Sequence, residues 1–373
     1  MSTPLATSAA PLSELEGPST EWEELADRLH APPFLRPGWI AAWWRAFGRG
    51  RLEIQSDRSE DGRLSALLPV VRERGVCASP TNWHSPEFGL LAESEVAARR
   101  LCASLLAERT RRVSLAFLPA DQAEHLRAEA VAQGYRVIQR TLQRSPFVPI
   151  EGDWETYQRQ LGKGFRDDLE RTRRHLFARG RVSFEVSSGQ GPDELLELLE
   201  QGFEVEASGW KGARGTAIRS RPLDRGFYTE VARWAAARGW LRLAFLRLDG
   251  RALAFDFCLE HAGVHYLIKT GYDPAYRELG PGKLLRVEML ARAFREGLRS
   301  YELLGACEPW KLRWTSATRP RELVQAFRPS ALGLLDWSLF QHGRPLAKRI
   351  RDLARGRRRT DPAQEPFAPV REG

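Results

Sequence analysis

Cysteine is scarce in this sequence, and the paired motifs in which it binds metals or forms disulfides are missing. The chain has 373 residues and four cysteines, which lie far apart and form no C-x-x-C pair. This usage excludes a disulfide-stapled scaffold and a cysteine zinc site, and it is typical of a reducing cytoplasm. His261 and His265 are four residues apart, but they flank a predicted strand turn, where this spacing does not bring two side chains together. No metal cofactor is therefore predicted.

Long uncharged apolar runs are also missing. No stretch approaches the ~20 apolar residues that a membrane-spanning helix needs. The first twenty residues have neither a basic start nor an apolar centre, so they do not predict a secretion signal. A G-x-S-x-G elbow, an RNP motif and a helix-turn-helix are absent too, which argues against a serine hydrolase and a sequence-specific nucleic-acid binder. We expect a soluble, cytoplasmic protein.

Lysine is the rare cation of this basic chain. Only six of the 57 basic residues are lysines, so each lysine stands out. The net charge is +9, and residues 344–359, with eight basic residues and one acidic residue, contribute +7 of it. This basic run is typical of a solvated tail, and alternatively of a contact with phosphate, tRNA or an anionic membrane.

A helix is predicted over residues 332–354, so its second half includes the first part of the basic run. Leu332, Leu335, Leu339 and Phe340 lie broadly along one of its faces. We expect this face to pack on the first domain. The alternative is a peripheral membrane contact through residues 332–359, because an apolar helix followed by a basic cluster is also typical of that role.

The length and the order of predicted elements indicate an α+β protein with two domains. A long basic helix is predicted over 154–177. Three antiparallel strands are predicted over 240–248, 252–260 and 265–272, with a helix over 283–295 and a strand over 301–304. The predicted division is a flexible leader (1–20), a first domain (21–150), a second domain (151–330), and a C-terminal helix with a basic tail (331–373).

One loop carries a chemical signature. The segment Arg277-Glu278-Leu279-Gly280-Pro281-Gly282 follows the three strands and opens onto a helix. Glycines let backbone N–H groups approach phosphate oxygens, and a helix N-terminus adds a positive dipole. Lys283 follows in the first helical turn, where it can add charge. The alternative is an ordinary glycine turn before a helix.

These landmarks together resemble one family. The loop matches R/Q-x-x-G-x-G/A, the pyrophosphate loop of the GNAT acyltransferases. The chain resembles the CelD-type acetyltransferases of that superfamily, which are similar to the Fem-type aminoacyl-tRNA transferases. The resemblance covers about residues 20 to 350 and is carried by the pyrophosphate loop with three further runs: Lys269-Thr270-Gly271-Tyr272-Asp273, Tyr301-Glu302-Leu303-Leu304-Gly305 and Trp310-Lys311-Leu312-Arg313-Trp314. Glu302 stands where the family pattern leads us to expect Asp.

The resemblance implies two tandem GNAT-like domains, each a mixed, mainly antiparallel sheet flanked by helices. The second domain would hold the acyl donor between two strands that splay apart, 265–272 and 301–304. Arg277, Gly280, Gly282 and Lys283 are the expected donor-binding residues.

The candidate catalytic residues are Lys311, Tyr272, Asp273 and Asp256. Lys311 matches a lysine that assists transfer in Fem-type enzymes, and its alternative is a surface lysine. Tyr272 and Asp273 close a strand beside the loop, so packing and turn formation are their alternatives. Asp256 lies in a central strand, where its alternative is a buried salt-bridge partner.

The predicted function is acyl-CoA-dependent transfer, with acetyl-CoA as the expected co-substrate, to an amine-bearing acceptor. The acceptor is expected to be a small molecule, a saccharide or a peptide. Two alternatives remain open at this point: an aminoacyl-tRNA-dependent Fem-type transferase, and a non-catalytic binding protein that keeps the fold.

Overall fold

A computed structural model describes residues 20–108, 110–189, 191–209 and 218–343. The predicted leader and most of the predicted basic tail lie outside the described residues. The helices are α1 (Thr20–Arg28), α2 (Pro37–Phe47), α3 (Glu95–Ala107), α4 (Ala120–Ala132), α5 (Trp154–Gln160), α6 (Lys163–Phe177), α7 (Pro192–Ser208), α8 (Pro222–Ala237), α9 (Pro281–Arg295) and α10 (Ala331–Ser338). The strands are β1 (Arg51–Arg58), β2 (Leu64–Glu73), β3 (Val76–Ala78), β4 (Leu91–Ala92), β5 (Arg112–Leu118), β6 (Arg136–Pro149), β7 (Val182–Ser187), β8 (Leu241–Leu248), β9 (Arg251–His261), β10 (Val264–Tyr272), β11 (Ser300–Glu302) and β12 (Thr318–Phe327).

The chain divides into two compact units that are not contiguous in sequence. One unit takes the described residues up to Leu35, then Arg49–Gln143, then the described residues from Pro320 onward. The other takes Arg36–Gly48 and Arg144–Arg319. The linear division into domains at residue 150 stays a prediction.

The first unit is an α+β layer structure. Its strands pair in the order β1-β2-β3-β5-β12, with β4 on β2, and most of the pairs are antiparallel. Helices α3 and α4 bury their apolar faces on this sheet. Leu101 and Leu105 of α3 and Leu126 of α4 are among the buried side chains. Burial of such leucines contributes about 1.5–3 kcal/mol each to stability.

The second unit holds the motif-bearing part of the chain. Its strands pair in the order β6-β11-β10-β9-β8-β7, and the pair of β10 with β11 is parallel while its other pairs are antiparallel. Helices α6 and α9 pack on one face of the sheet. The α+β prediction of a mixed, mostly antiparallel sheet flanked by helices is confirmed.

Tight turns join β8, β9 and β10 as the sequence predicts. Asp249-Gly250 and Ala262-Gly263 each have two consecutive positive φ values, between 48° and 83°. Two left-handed residues in a row match the twist of a two-residue hairpin, which explains the glycine in second place. These turns set the register that leads β10 toward the glycine loop.

Two helix predictions need correction. The single helix predicted over 154–177 is two helices, because Leu161 and Gly162 adopt extended backbone, with ψ of 145° and 135°. Glycine pays more entropy than other residues in a helix, so it favours such a break. The helix predicted over 332–354 ends at Ser338, and a π-turn follows at Leu339–Gly343. The remainder of that prediction lies outside the described residues.

Candidate functional site

The site is built around a separation of two parallel strands. β10 pairs with β11 only from Val264 to Tyr266, opposite Ser300 to Glu302. β11 then ends, while β10 continues along β9 as far as Tyr272. A bulge between Leu267 and Lys269 in the β9–β10 register begins where β11 departs. The predicted splay between these strands is present, because β10 continues beyond the last residue that pairs with β11.

Lys311 holds the other side of this separation. Its Nζ donates to the carbonyl oxygens of Leu304, at 2.7 Å, and Ala306, at 3.3 Å, and it pairs with Glu308 at 3.0 Å. Leu304 and Gly305 both have positive φ, 52° and 59°. This conformation is costly for leucine, and such strain persists only where surrounding contacts hold it. The Lys311 ammonium provides such contacts.

Lys311 is therefore a buried residue and not a surface lysine. Its side chain is 6% exposed. Burial lowers the pKa of Lys311, although Glu308 acts in the opposite direction. The acceptors around its Nζ belong to the chain after β11, so its visible role is to position that chain. Its catalytic role stays a prediction.

Gly280 caps α9 in a conformation that suits glycine. Its φ and ψ are 54° and 42°, and its carbonyl accepts from the N–H groups of Lys283 and Leu284 at 3.0 and 3.1 Å. A Cβ at this position would lie 2.5 Å from Thr172 Cγ2 and 2.7 Å from Lys283 Cε. Both the backbone and the close approach of α6 therefore favour glycine here.

Gly282 lies in the first turn of α9, where backbone N–H groups have no intrahelical acceptor. Its φ is not in the left-handed region, and an added Cβ would be in ordinary contact with the Tyr272 ring, at 3.5 Å. The glycine is thus not required by the fold of the loop. A helix N-terminus beside the end of β10 is suited to an anionic ligand.

A cluster of cations surrounds this helix end. Asp168 on α6 accepts from Lys283 Nζ at 2.8 Å and from Arg171 at 2.6 Å, and Arg313 lies 3.4 Å away. The hydrogen bond from Lys283 is the main reason that the pKa of Asp168 is lowered. One carboxylate among three cations leaves a local charge of +2. Arg277, the first residue of the motif, is exposed.

Tyr272 and Asp273 differ in what they can reach. The Tyr272 side chain is 42% exposed and its ring lies beside Gly282. Asp273 is buried, and its two carboxylate oxygens accept from the Ala275 N–H at 3.0 Å and from Arg251 at 2.8 Å. It caps the short 3-10 helix Pro274–Leu279. Asp273 thus shapes the loop, and Tyr272 is the more accessible of the two.

Asp256 lies in a buried ion pair. Arg286 on α9 approaches both of its oxygens at 2.9 Å and also donates to the hydroxyl of Tyr301 on β11. All three side chains are at most 1% exposed. Burial raises the pKa of Tyr301 well above its usual range. This group ties β9, β11 and α9 together, as the salt-bridge interpretation predicts.

The structure thus gathers part of the predicted set. Tyr272, Gly280, Gly282 and Lys283 surround the start of α9. Asp256 and Lys311 lie within the walls of the site, where they are buried. The structure adds Asp168, Thr172 and Arg286, which the sequence does not single out, and it gives contacts to Tyr301 and Arg313, which the sequence marks only as members of family-like runs. The i,i+4 spacing of Asp168 and Thr172 on the basic helix was the one available signal.

Part of the second unit matches a known family. Residues 163–312 match the family model described as an acetyltransferase (GNAT) domain. The chain therefore carries a GNAT-type acyltransferase domain, as predicted. No curated protein matches the sequence. The CelD-type assignment stays a prediction.

Three solved structures share the fold at low sequence identity. They are the C-terminal domain of a putative lysylphosphatidylglycerol synthetase from Agrobacterium fabrum (TM-score 0.54, 14% identity, 87% of this chain and 97% of that chain), a conserved protein of unknown function from Bacteroides thetaiotaomicron (0.54, 11%, 87% and 100%), and FemX (0.51, 10%, 86% and 97%). At these identities the likeness is one of fold.

Among the described residues, no helix is both long and apolar enough to cross a membrane. The same residues also contain no group of three or more His, Cys, Asp or Glu side chains that could hold a metal ion.

Proposed function

We propose that the second unit transfers an acyl group from acyl-CoA, with acetyl-CoA as the expected co-substrate, to an amine. The observation that carries this proposal is the separation of β10 from β11, which leads directly to the glycine-capped start of α9. The extended pantetheine arm would lie along β10 beyond the point where β11 ends. The pyrophosphate would lie at the first turn of α9, against the Gly282 N–H.

The charges at this end of α9 support an anionic donor. Lys283, Arg171 and Arg313 share the single carboxylate of Asp168. Guanidinium and ammonium groups with unused donors bind phosphate oxygens strongly. Exposed Arg277 adds a further cation within the motif itself. These are the residues that would hold the CoA phosphates.

The chemistry needs one bond made and one broken. The acceptor nitrogen attacks the thioester carbonyl carbon, the carbon–sulfur bond breaks, the nitrogen loses a proton and the thiolate gains one. Backbone N–H groups of β10 near the separation from β11 would stabilise the developing oxyanion. Tyr272, exposed beside Gly282, would donate the proton to the thiolate. Turnover of Tyr272→Phe within about twofold of wild type would contradict that role.

An aminoacyl-tRNA donor is the second candidate. Exposed cations on α6, namely Lys163, Arg171, Arg173 and Arg174, favour it, because a polyanion needs an extended basic surface. The fold likeness to FemX and to the lysylphosphatidylglycerol synthetase domain is compatible with it. In this case the basic surface of α6 would guide the tRNA acceptor stem.

Calorimetric titration of the full chain distinguishes the two donors. We expect saturable binding of acetyl-CoA, and little competition from charged tRNA at physiological salt. Binding of charged tRNA without binding of acetyl-CoA would overturn the proposal and favour the second candidate. A chain that binds neither would contradict both.

A lysine pair provides a matched control for the site. Lys283→Met should weaken acetyl-CoA binding about tenfold, because one charge-assisted phosphate contact is lost. Lys163→Met removes the same charge from the 83% exposed start of α6, where the lysine pairs with Asp167, and should change binding by less than about twofold. Equal effects of the two variants would show that Lys283 has no local role.

A further inference from the structure

Helix α10 presents leucines to solvent. The exposed fractions of Leu332, Leu335 and Leu339 are 63%, 57% and 54%. Their spacing of three and four residues places them on one side of the helix. The expectation that this leucine face packs on the first domain is therefore wrong for these three residues.

The rest of α10 is firmly attached to its own unit. Gly333 packs so closely on the Arg328 carbonyl that a Cβ would not fit. The Asp336 carboxylate pairs with Arg111 at 2.9 Å, and Phe340, in the turn that follows, packs on Phe327 with ring centroids 5.5 Å apart. These contacts are made from another side of the helix than the three exposed leucines.

A strongly basic sequence follows this helix. Residues 344–359 contain eight basic residues and one acidic residue. Transfer of an exposed leucine side chain from water to the interfacial region of a bilayer is favourable. Basic residues that follow such leucines in the sequence are attracted by the negative surface potential of anionic lipids. The exposed leucines and the basic sequence both favour binding to an anionic lipid bilayer.

We propose that the leucine side of α10, defined as Leu332, Leu335 and Leu339, binds the surface of an anionic lipid bilayer by inserting between lipid headgroups. The basic sequence that follows, residues 344–359, supplies the charge that favours anionic lipids. The attachment through Asp336 and Phe340 carries the first unit to the membrane with the helix. A polyanion such as RNA would use the charges but not the leucines, so the apolar contribution distinguishes the two partners.

Vesicle co-sedimentation of the full chain tests this surface. We expect binding to phosphatidylcholine vesicles that contain phosphatidylglycerol, weaker binding to phosphatidylcholine alone, and a decrease as salt is raised. The double variant Leu332→Gln, Leu335→Gln should bind at least about tenfold more weakly, because burial of one leucine side chain is worth about 1.5–3 kcal/mol. Glutamine keeps the helix propensity of leucine, and a melting temperature equal to wild type confirms the fold.

Leu223 provides the matched control. It is 60% exposed on α8, in the other unit. Leu223→Gln should leave vesicle binding unchanged. Absence of wild-type binding to anionic vesicles would overturn the proposal. Wild-type binding that the Leu332→Gln, Leu335→Gln variant retains in full would also overturn it, since charge alone would then explain the interaction.

Discussion

Lys311 shows how a single residue can support a site from within its wall. Its ammonium binds two carbonyl oxygens in the strained turn after β11. Lys311→Met keeps much of the side-chain volume but leaves these carbonyls without their buried donor. We expect a loss of about 3 kcal/mol in the free energy of unfolding, and a fall in turnover as the turn relaxes. Urea unfolding and acyl-transfer rates measure the two effects.

The same variant distinguishes a positioning role from a purely catalytic one. From the sequence alone, Lys311→Ala is expected to lower turnover well beyond any change in melting temperature. Burial of the side chain changes this expectation, since both quantities should fall together. Unfolding free energies of Lys311→Met and wild type that agree within about 0.5 kcal/mol would contradict the positioning role. Lys163→Met, at an exposed position, is the control for the loss of a lysine charge.

His265 makes the stability of the second unit depend on pH. Its Nδ1 lies 2.8 Å from Glu260, and its ring stacks on Tyr301 with centroids 4.3 Å apart. Burial lowers the pKa of His265, although the hydrogen bond with Glu260 acts in the opposite direction. Nearby Arg286 and Arg292 also disfavour its protonation. Folded His265 thus stays neutral at pH values where the unfolded chain binds a proton.

The sign of the effect follows from this difference. Below about pH 6.5 the unfolded state binds more protons at this position, so the free energy of unfolding should decrease as the pH falls. Replacing His265 by Gln removes this group and should flatten the dependence between about pH 6.5 and 5. Urea unfolding at several pH values measures it. Parallel curves for the two proteins would show that His265 does not contribute.

At the scale of elements, the packing of α6 on the start of α9 is the critical contact. A Cβ on Gly280 would meet the Thr172 methyl group, and the residue would also have to keep a positive φ. Gly280→Ala should therefore lower the free energy of unfolding by about 1–3 kcal/mol. Adding Thr172→Ser removes the methyl group and should restore part of that loss. A double variant no more stable than Gly280→Ala would contradict the predicted contact.

The elements also show where sequence patterns fail. Alternation and turn residues predict β8, β9 and β10 well, because each strand has a buried face and a glycine turn fixes its register. The break between α5 and α6 was missed, since Leu161 and Gly162 interrupt a helical pattern that continues on both sides. Local periodicity does not reveal this break, because apolar residues of both helices pack on the same core: Trp154 and Tyr157 from α5, and Phe165 and Leu169 from α6.

For the whole molecule, the α+β fold and the place of the glycine loop could be predicted from the sequence. The partners that give the site its charge could not, because they come from distant segments. Asp168 and Lys283 are 115 residues apart, and Arg286 and Asp256 are 30 residues apart. The assignment of Arg36–Gly48 to the second unit likewise depends on contacts far away in the chain, such as Trp39 on Phe227.

The central claim is that the start of α9 binds an anionic acyl donor. Gly282→Asp tests it without straining the fold, since Gly282 has an ordinary φ and a Cβ there has room beside Tyr272. A carboxylate in the first turn also favours the helix dipole, so the melting temperature should be unchanged or raised. Gly282→Ala, which adds the Cβ without charge, is the matched control.

Calorimetric titration with acetyl-CoA, at one salt concentration for all three proteins, provides the most direct measurement. We expect wild type and Gly282→Ala to bind with similar affinity. Gly282→Asp should bind at least about a hundredfold more weakly, because a carboxylate about 4 Å from a phosphate costs about 4 kcal/mol near a protein surface, before screening by salt. Equal affinity of Gly282→Asp and Gly282→Ala would contradict the account.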